Sequence, residues 1–108
     1  MSPIEFAIAC REERDGLLSL FSDEKGKSAV AGHLAAFGLT PSQRKHVIAA
    51  IEAALTDAFY TLLLALDGSV SLGSYQRSFI LTDDGGGVIA NGDGRLEAAA
   101  WDAFQSDR

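Results

Sequence analysis

The chain has 108 residues, 47% of them apolar and 22% charged. That balance excludes a disordered polymer and suits one globular domain, expected to span residues 1–108. The formal net charge is −6 and Cys10 is the single cysteine. The first sets nucleic acid aside as a partner, because an acidic field repels phosphate backbones; the second excludes an intrachain disulfide and a cysteine-only zinc site.

The charge is unevenly placed. Residues 1–51 carry six acidic and six basic side chains, whereas residues 52–108 carry nine acidic and three basic. Near the start, Ala7-Ile8-Ala9-Cys10 has the small-residue look of a lipidation box, but no basic residue precedes Arg11 and Glu5 interrupts the apolar run. A leader needs a basic start and a long apolar stretch. A cytoplasmic location is expected, in keeping with a lone cysteine. No uninterrupted apolar run reaches the ~20 residues of a membrane span, so no membrane contact is expected.

Ser2-Pro3-Ile4-Glu5 places a capping hydroxyl, a proline at the first helical position and an acid at the third, which predicts a helix to about Phe21. Ser22-Asp23 then precedes a second helix, Glu24 to Phe37, closed by Gly38. Thr40-Pro41-Ser42-Gln43 repeats the capping chemistry and opens a long helix to Leu66. Ile48, Ile51, Leu55, Phe59, Leu62 and Leu66 form its apolar stripe. From Ala58 to Leu66 apolar residues surround the axis, so this half is expected to be enclosed on all sides, and Leu62→Asp is expected to unfold the chain. Asp67-Gly68 ends the helix, with Asp67 accepting from Ser69 or Val70.

Past Gly68, Tyr75, Phe79 and Leu81 alternate with Gln76, Ser78 and Thr82, the period of a half-buried strand. Asp83 to Gly87 reads as a turn and Val88-Ile89-Ala90 as the returning strand. Val70 to Leu72 is a candidate third strand. Asn91-Gly92-Asp93-Gly94 leads into a last helix, Arg95 to Gln105, with a cap from Asp93 or Gly94 and with Leu96, Ala99 or Ala100, Trp101 and Phe104 facing inward. The expected fold is α+β in the order α-α-α-β-β-α, a hairpin and a short helix packed on the long helix 40–66.

No catalytic, cofactor or metal set emerges. The glycines of Asp83–Gly87 join two strands and offer two aspartates where a phosphate loop needs a cation. A calcium loop centred on Gly94 would take ligands from Ile89 and Ala100, which have none to give. His33 and His46 sit on different helices without ligand spacing, and nothing near Cys10 in the sequence activates it. Asp57, amid apolar neighbours, is expected to pair with Arg77 or Arg95.

The run Phe59-Tyr60-Thr61-Leu62-Leu63-Leu64-Ala65-Leu66-Asp67-Gly68-Ser69-Val70-Ser71 resembles a pattern in small bacterial proteins. In those, an apolar helix ends in Asp-Gly-Ser before a polar hairpin and a short acidic helix. The resemblance spans roughly Thr40 to Phe104. Small acidic domains of that kind include immunity proteins that neutralise bacterial toxins, so it implies a binding role and supplies no binding residues.

The resulting expectation is a non-enzymatic protein-binding domain. Its acidic half would engage a basic partner through Asp83, Asp84, Asp93, Asp102 and Asp107. The alternative is a self-associating subunit or homodimer, with Phe6, Ile8 and Val47 on its contact face. A small enzyme would need a pocket joining Cys10 or a histidine to a carboxylate.

Overall fold

The computed structural model describes residues 1–106, so Asp107 lies outside the described residues. Its elements are α1 (Pro3–Ser22), α2 (Ala29–Phe37), α3 (Pro41–Leu66), β1 (Leu81–Thr82), β2 (Val88–Ala90) and α4 (Arg95–Phe104). The order is the expected α-α-α-β-β-α, and β1 and β2 form a two-stranded antiparallel sheet.

Both capping boxes are made. The Ser2 hydroxyl accepts from Glu5 N at 3.1 Å while Glu5 accepts from Ser2 N at 3.0 Å, and Thr40 and Gln43 do the same at α3. The second helix starts five residues later than expected. Asp23 Oδ1 accepts from Lys25 N and the Asp23 carbonyl from Gly26 N, which turns the chain there. Ser28 then caps α2 through Ala31 N.

The strand expected through Tyr75 does not form. Every residue from Ser69 to Ser78 is exposed, so alternation there has no buried side to serve. Leu72 and Tyr75 exchange two backbone hydrogen bonds of 2.9 and 2.8 Å in a tight turn, the sole trace of the third strand. Only Leu81-Thr82 pairs with β2, with an irregular register.

The main core lies where α1, α3 and α4 meet, with β2 at one end. It joins Ala7, Leu63, Ile89, Ala90, Leu96, Ala99, Ala100, Ala103 and Phe104. Phe59 stacks on Phe104 at 6.1 Å between ring centroids. The Arg14 guanidinium lies 5.3 Å from the same ring and donates to the buried Thr56 hydroxyl at 2.9 Å. Among the described residues, seven of the twelve buried apolar ones are alanines, whereas twelve large apolar side chains are exposed. The radius of gyration, 16.3 Å, exceeds the ~13 Å usual for this length. Small side chains inside and large ones outside leave an extended molecule with a thin core.

Two inward positions are therefore corrected. Trp101 is 53% exposed and meets Tyr60 edge-on, because Ala100 and Ala103 take the buried side of α4. Leu62 is 46% exposed while its neighbour Leu63 is 1% exposed; the second half of α3 is not enclosed on all sides. Leu63→Ala is expected to cost about 2–5 kcal/mol in urea denaturation, and Leu62→Ala distinctly less, the reverse of what an apolar stripe through Leu62 implies.

Candidate functional site

The acidic residues of the second half differ in what already holds them. Asp83 is held inside its own turn: Oδ1 accepts from Gly85 N at 3.0 Å and Gly87 N at 2.7 Å, and Oδ2 accepts from the Met1 ammonium. A Cβ on Gly87 would stand 2.9 Å from Asp83 Oδ2, so glycine is what lets the carboxylate come so close. Asp93 Oδ1 accepts from Arg95 N, and its Oδ2 lies 3.3 Å from Arg95 Nε. Asp84 and Asp102 are exposed, on the turn and on the outer side of α4. Two of the four described acids thus face cations of this chain, which leaves Asp84 and Asp102 free to meet another molecule.

The hydrogen bond from the Met1 ammonium, then those from the glycine amides, hold the Asp83 carboxyl below its ordinary value; the same bond raises the Met1 amine. The depressed acid contributes stability above the unfolded carboxyl value, 3.8, and loses it as pH falls through the folded one. The raised amine contributes below its unfolded value, 8.0, and loses it as pH rises through the folded one. Both contributions are complete only between those limits. The Tm difference between wild type and Asp83→Asn is expected to peak in that window and shrink at either side.

Asp67 has the most consequential placement. Gly68, at φ +82°, closes α3: Gly68 N donates to the Ala65 carbonyl and Ser69 N to the Leu64 carbonyl. These bonds leave the Asp67 side chain free to cross to the other end of the sequence. Only 4% exposed, it accepts from Gly92 N at 3.2 Å and from Glu97 N at 2.9 Å. Glu97 is the third residue of α4, whose N-cap, Gly94, has no side chain to offer. Asp67 thus performs the N-cap's task from another helix, with its charge on the favourable end of the α4 dipole. It does not cap Ser69 or Val70 as expected. Asp67→Ala is expected to cost about 1–3 kcal/mol by leaving two amides unpaired, with faster hydrogen exchange at Gly92 and Glu97.

The remaining chemistry-bearing residues stay apart. Cys10 is half-buried against the core, and that burial pushes its thiol up. His33 and His46 are exposed on α2 and α3. Asp57 is exposed and forms no ion pair among the described residues; Arg77 instead lies over the Tyr75 ring and Arg95 pairs with Asp93. No group of three or more His, Cys, Asp or Glu able to hold a metal occurs among the described residues.

What the fold does assemble is an apolar face. Ala50, Ala54, Ala58, Thr61 and Leu62 are exposed along α3. In the segment after the helix, Leu72 is 43% and Tyr75 56% exposed. Between α3 and the 71–73 segment lies a shallow, mostly apolar depression of about 570 Å³, lined by Ala58, Leu62, Ala65 and Leu72 with Asp57 at its side. The expected contact residues are dispersed: Phe6 packs on the core, Ile8 is exposed on α1 beside Asp102, and Val47 is half-buried on α3. By length and mean hydropathy α3 could also cross a membrane, a property hidden from a search for unbroken apolar runs because Glu52 and Asp57 interrupt it. Helical spacing points the other way, since it places the exposed Leu62 in the apolar stripe and leaves the buried Leu63 out.

No protein-family model matches the chain, and no curated protein or solved structure matches it either.

Proposed function

We propose that this chain is a protein-association domain, a binding module without catalytic chemistry, working through the uncovered face of α3 and the segment after it. One observation carries the reading. The chain exposes 6952 Å², whereas a monomeric protein of 11.4 kDa exposes about 5,800 Å². The surplus, about 1,200 Å², is of the size a subunit buries in a stable assembly. Part of it is the alanine and leucine of α3 with Leu72 beside them, the composition of an interaction surface.

The acidic second half adds a preference. Asp84 and Asp102 are exposed, and the net charge is −6, so basic groups around the rim of a partner would speed its approach. An immunity-like domain covering a basic protein is one form of this reading.

In an extract of cells producing the chain at low level, the wild type is expected to migrate on native size exclusion well above the monomer mass. Leu62→Asp and Leu72→Asp are expected to return it to that mass with helical circular dichroism retained. A wild type that migrates as the free chain would contradict the reading, as would an assembly indifferent to both substitutions.

A further inference from the structure

The outer side of α4 carries a different constellation. Glu97 and Trp101 stand four residues apart and so lie in one row along the helix, and Gly94, Ala98 and Asp102 form the adjoining row at the same spacing. Gly94 and Ala98 have little or no side chain, so the second row is low until Asp102. Tyr60 of α3 forms the opposite wall, its ring centroid 6.3 Å from that of Trp101 and its plane inclined by 61°. The result is an open cleft of about 360 Å³ with two aromatic walls and a carboxylate from each row.

The fold itself leaves these groups largely unused. Trp101 is 53% exposed, so much of its indole ring stays in water. Glu97 and Asp102 are exposed too, and neither is in an ion pair among the described residues. Glu97 is held in place by the Ser69 hydroxyl, which donates to its Oε2. Elsewhere this chain lays its own guanidinium groups over aromatic rings: Arg14 lies 5.3 Å from the Phe104 centroid and Arg77 5.4 Å from that of Tyr75. Indole attracts a cation more strongly than either of those rings, yet the guanidinium nearest in sequence, Arg95, is turned to Asp93.

We infer that the cleft receives an arginine side chain from a basic protein partner, the guanidinium over the indole face of Trp101 and its N–H groups directed at Glu97 and Asp102. An anion would be repelled there, and an apolar group would strip water from two carboxylates without replacing its hydrogen bonds. Arginine suits the site better than lysine. Its planar, weakly hydrated guanidinium stacks flat on an aromatic ring and meets a carboxylate through two N–H groups at once, whereas an ammonium is a compact and strongly hydrated charge. The net charge of −6 draws a basic segment toward the chain, and the aromatic walls select which side chain settles. This goes beyond the association reading, because the cleft shares no residue with the depression beside Leu62 and Leu72.

The test uses the purified chain and a fluorescein-labelled arginine–glycine peptide at physiological ionic strength, with binding read by anisotropy. Two further peptides carry lysine, or the neutral isostere citrulline, in place of arginine. Saturable binding of the arginine peptide is expected, several-fold weaker binding of the lysine peptide and none of the citrulline peptide. Trp101→Ala, which leaves the net charge unchanged, is expected to weaken binding at least fivefold, as is the double variant Glu97→Gln, Asp102→Asn. Glu13→Gln, which removes one charge from the exposed side of α1, is expected to leave it within twofold. Circular dichroism checks that each variant keeps its helices. Because Trp101 is the one tryptophan, its fluorescence in the wild type should change along the same binding curve. Binding that survives both Trp101→Ala and the double variant would be diffuse attraction to an acidic surface and would overturn the inference. So would a lysine peptide that binds as tightly as the arginine one, a bound peptide that leaves Trp101 fluorescence unaltered, or no binding at all. None of these results bears on the Leu62-dependent assembly, which is measured without the peptide.

Discussion

The Asp67 carboxylate ties together two ends of a long excursion in the chain. It leaves the last turn of α3, is buried to 4% exposure, and accepts from the backbone of Gly92 and Glu97. Burying a charge without partners is costly, so the carboxylate is stable there only while the 91–94 turn and the first turn of α4 are in place. In return, α4 gains the cap that Gly94 lacks. α4 is thereby held against α3, β2 lies against α1 and α4, and Ala50, Ala54, Ala58 and Leu62 of α3 stay exposed.

That one-sidedness follows from side-chain volumes. The inner faces of α1 and α4 contribute mainly alanine, with Phe104 and Leu96 as the large exceptions. Alanine lets the helices come close but excludes little apolar area from water. The larger residues, Leu62, Leu72, Tyr75 and Trp101, remain outside. At the other end of the interface, Arg14 of α1 spans Thr56 of α3 and the Phe104 ring of α4. A chain built this way leaves stabilising area to be gained by association, which is why its surface says more about function than its titratable groups do.

Local signals in the sequence were legible wherever the physics is local. Ser2 with Glu5 and Thr40 with Gln43 fixed two helix starts, and Gly38 fixed one end, because caps involve residues three or four apart. Across Glu24–Ser28 the same reasoning favoured a helix, and an Asp23 turn closing on Gly26 displaced it. From Tyr75 to Ile80 an alternating pattern suggested a strand, but alternation marks a strand only where one side is buried. The neighbours Leu62 and Leu63 could not be told apart by composition, since which one is buried depends on where α1 and α4 cross α3. Nor could Asp67 be matched to Glu97, thirty residues on, or Asp83 to the Met1 ammonium. Such partners are chosen by the fold.

The central claim is that the bare face of α3 is an interface. Hydroxyl-radical footprinting of the dilute purified chain and of the same chain in extract tests it residue by residue. In extract, labelling is expected to fall at Leu62, Leu72 and Tyr75 and to stay constant at Phe37, which is 79% exposed but lies elsewhere. Labelling that is the same in both settings at all four would contradict the account.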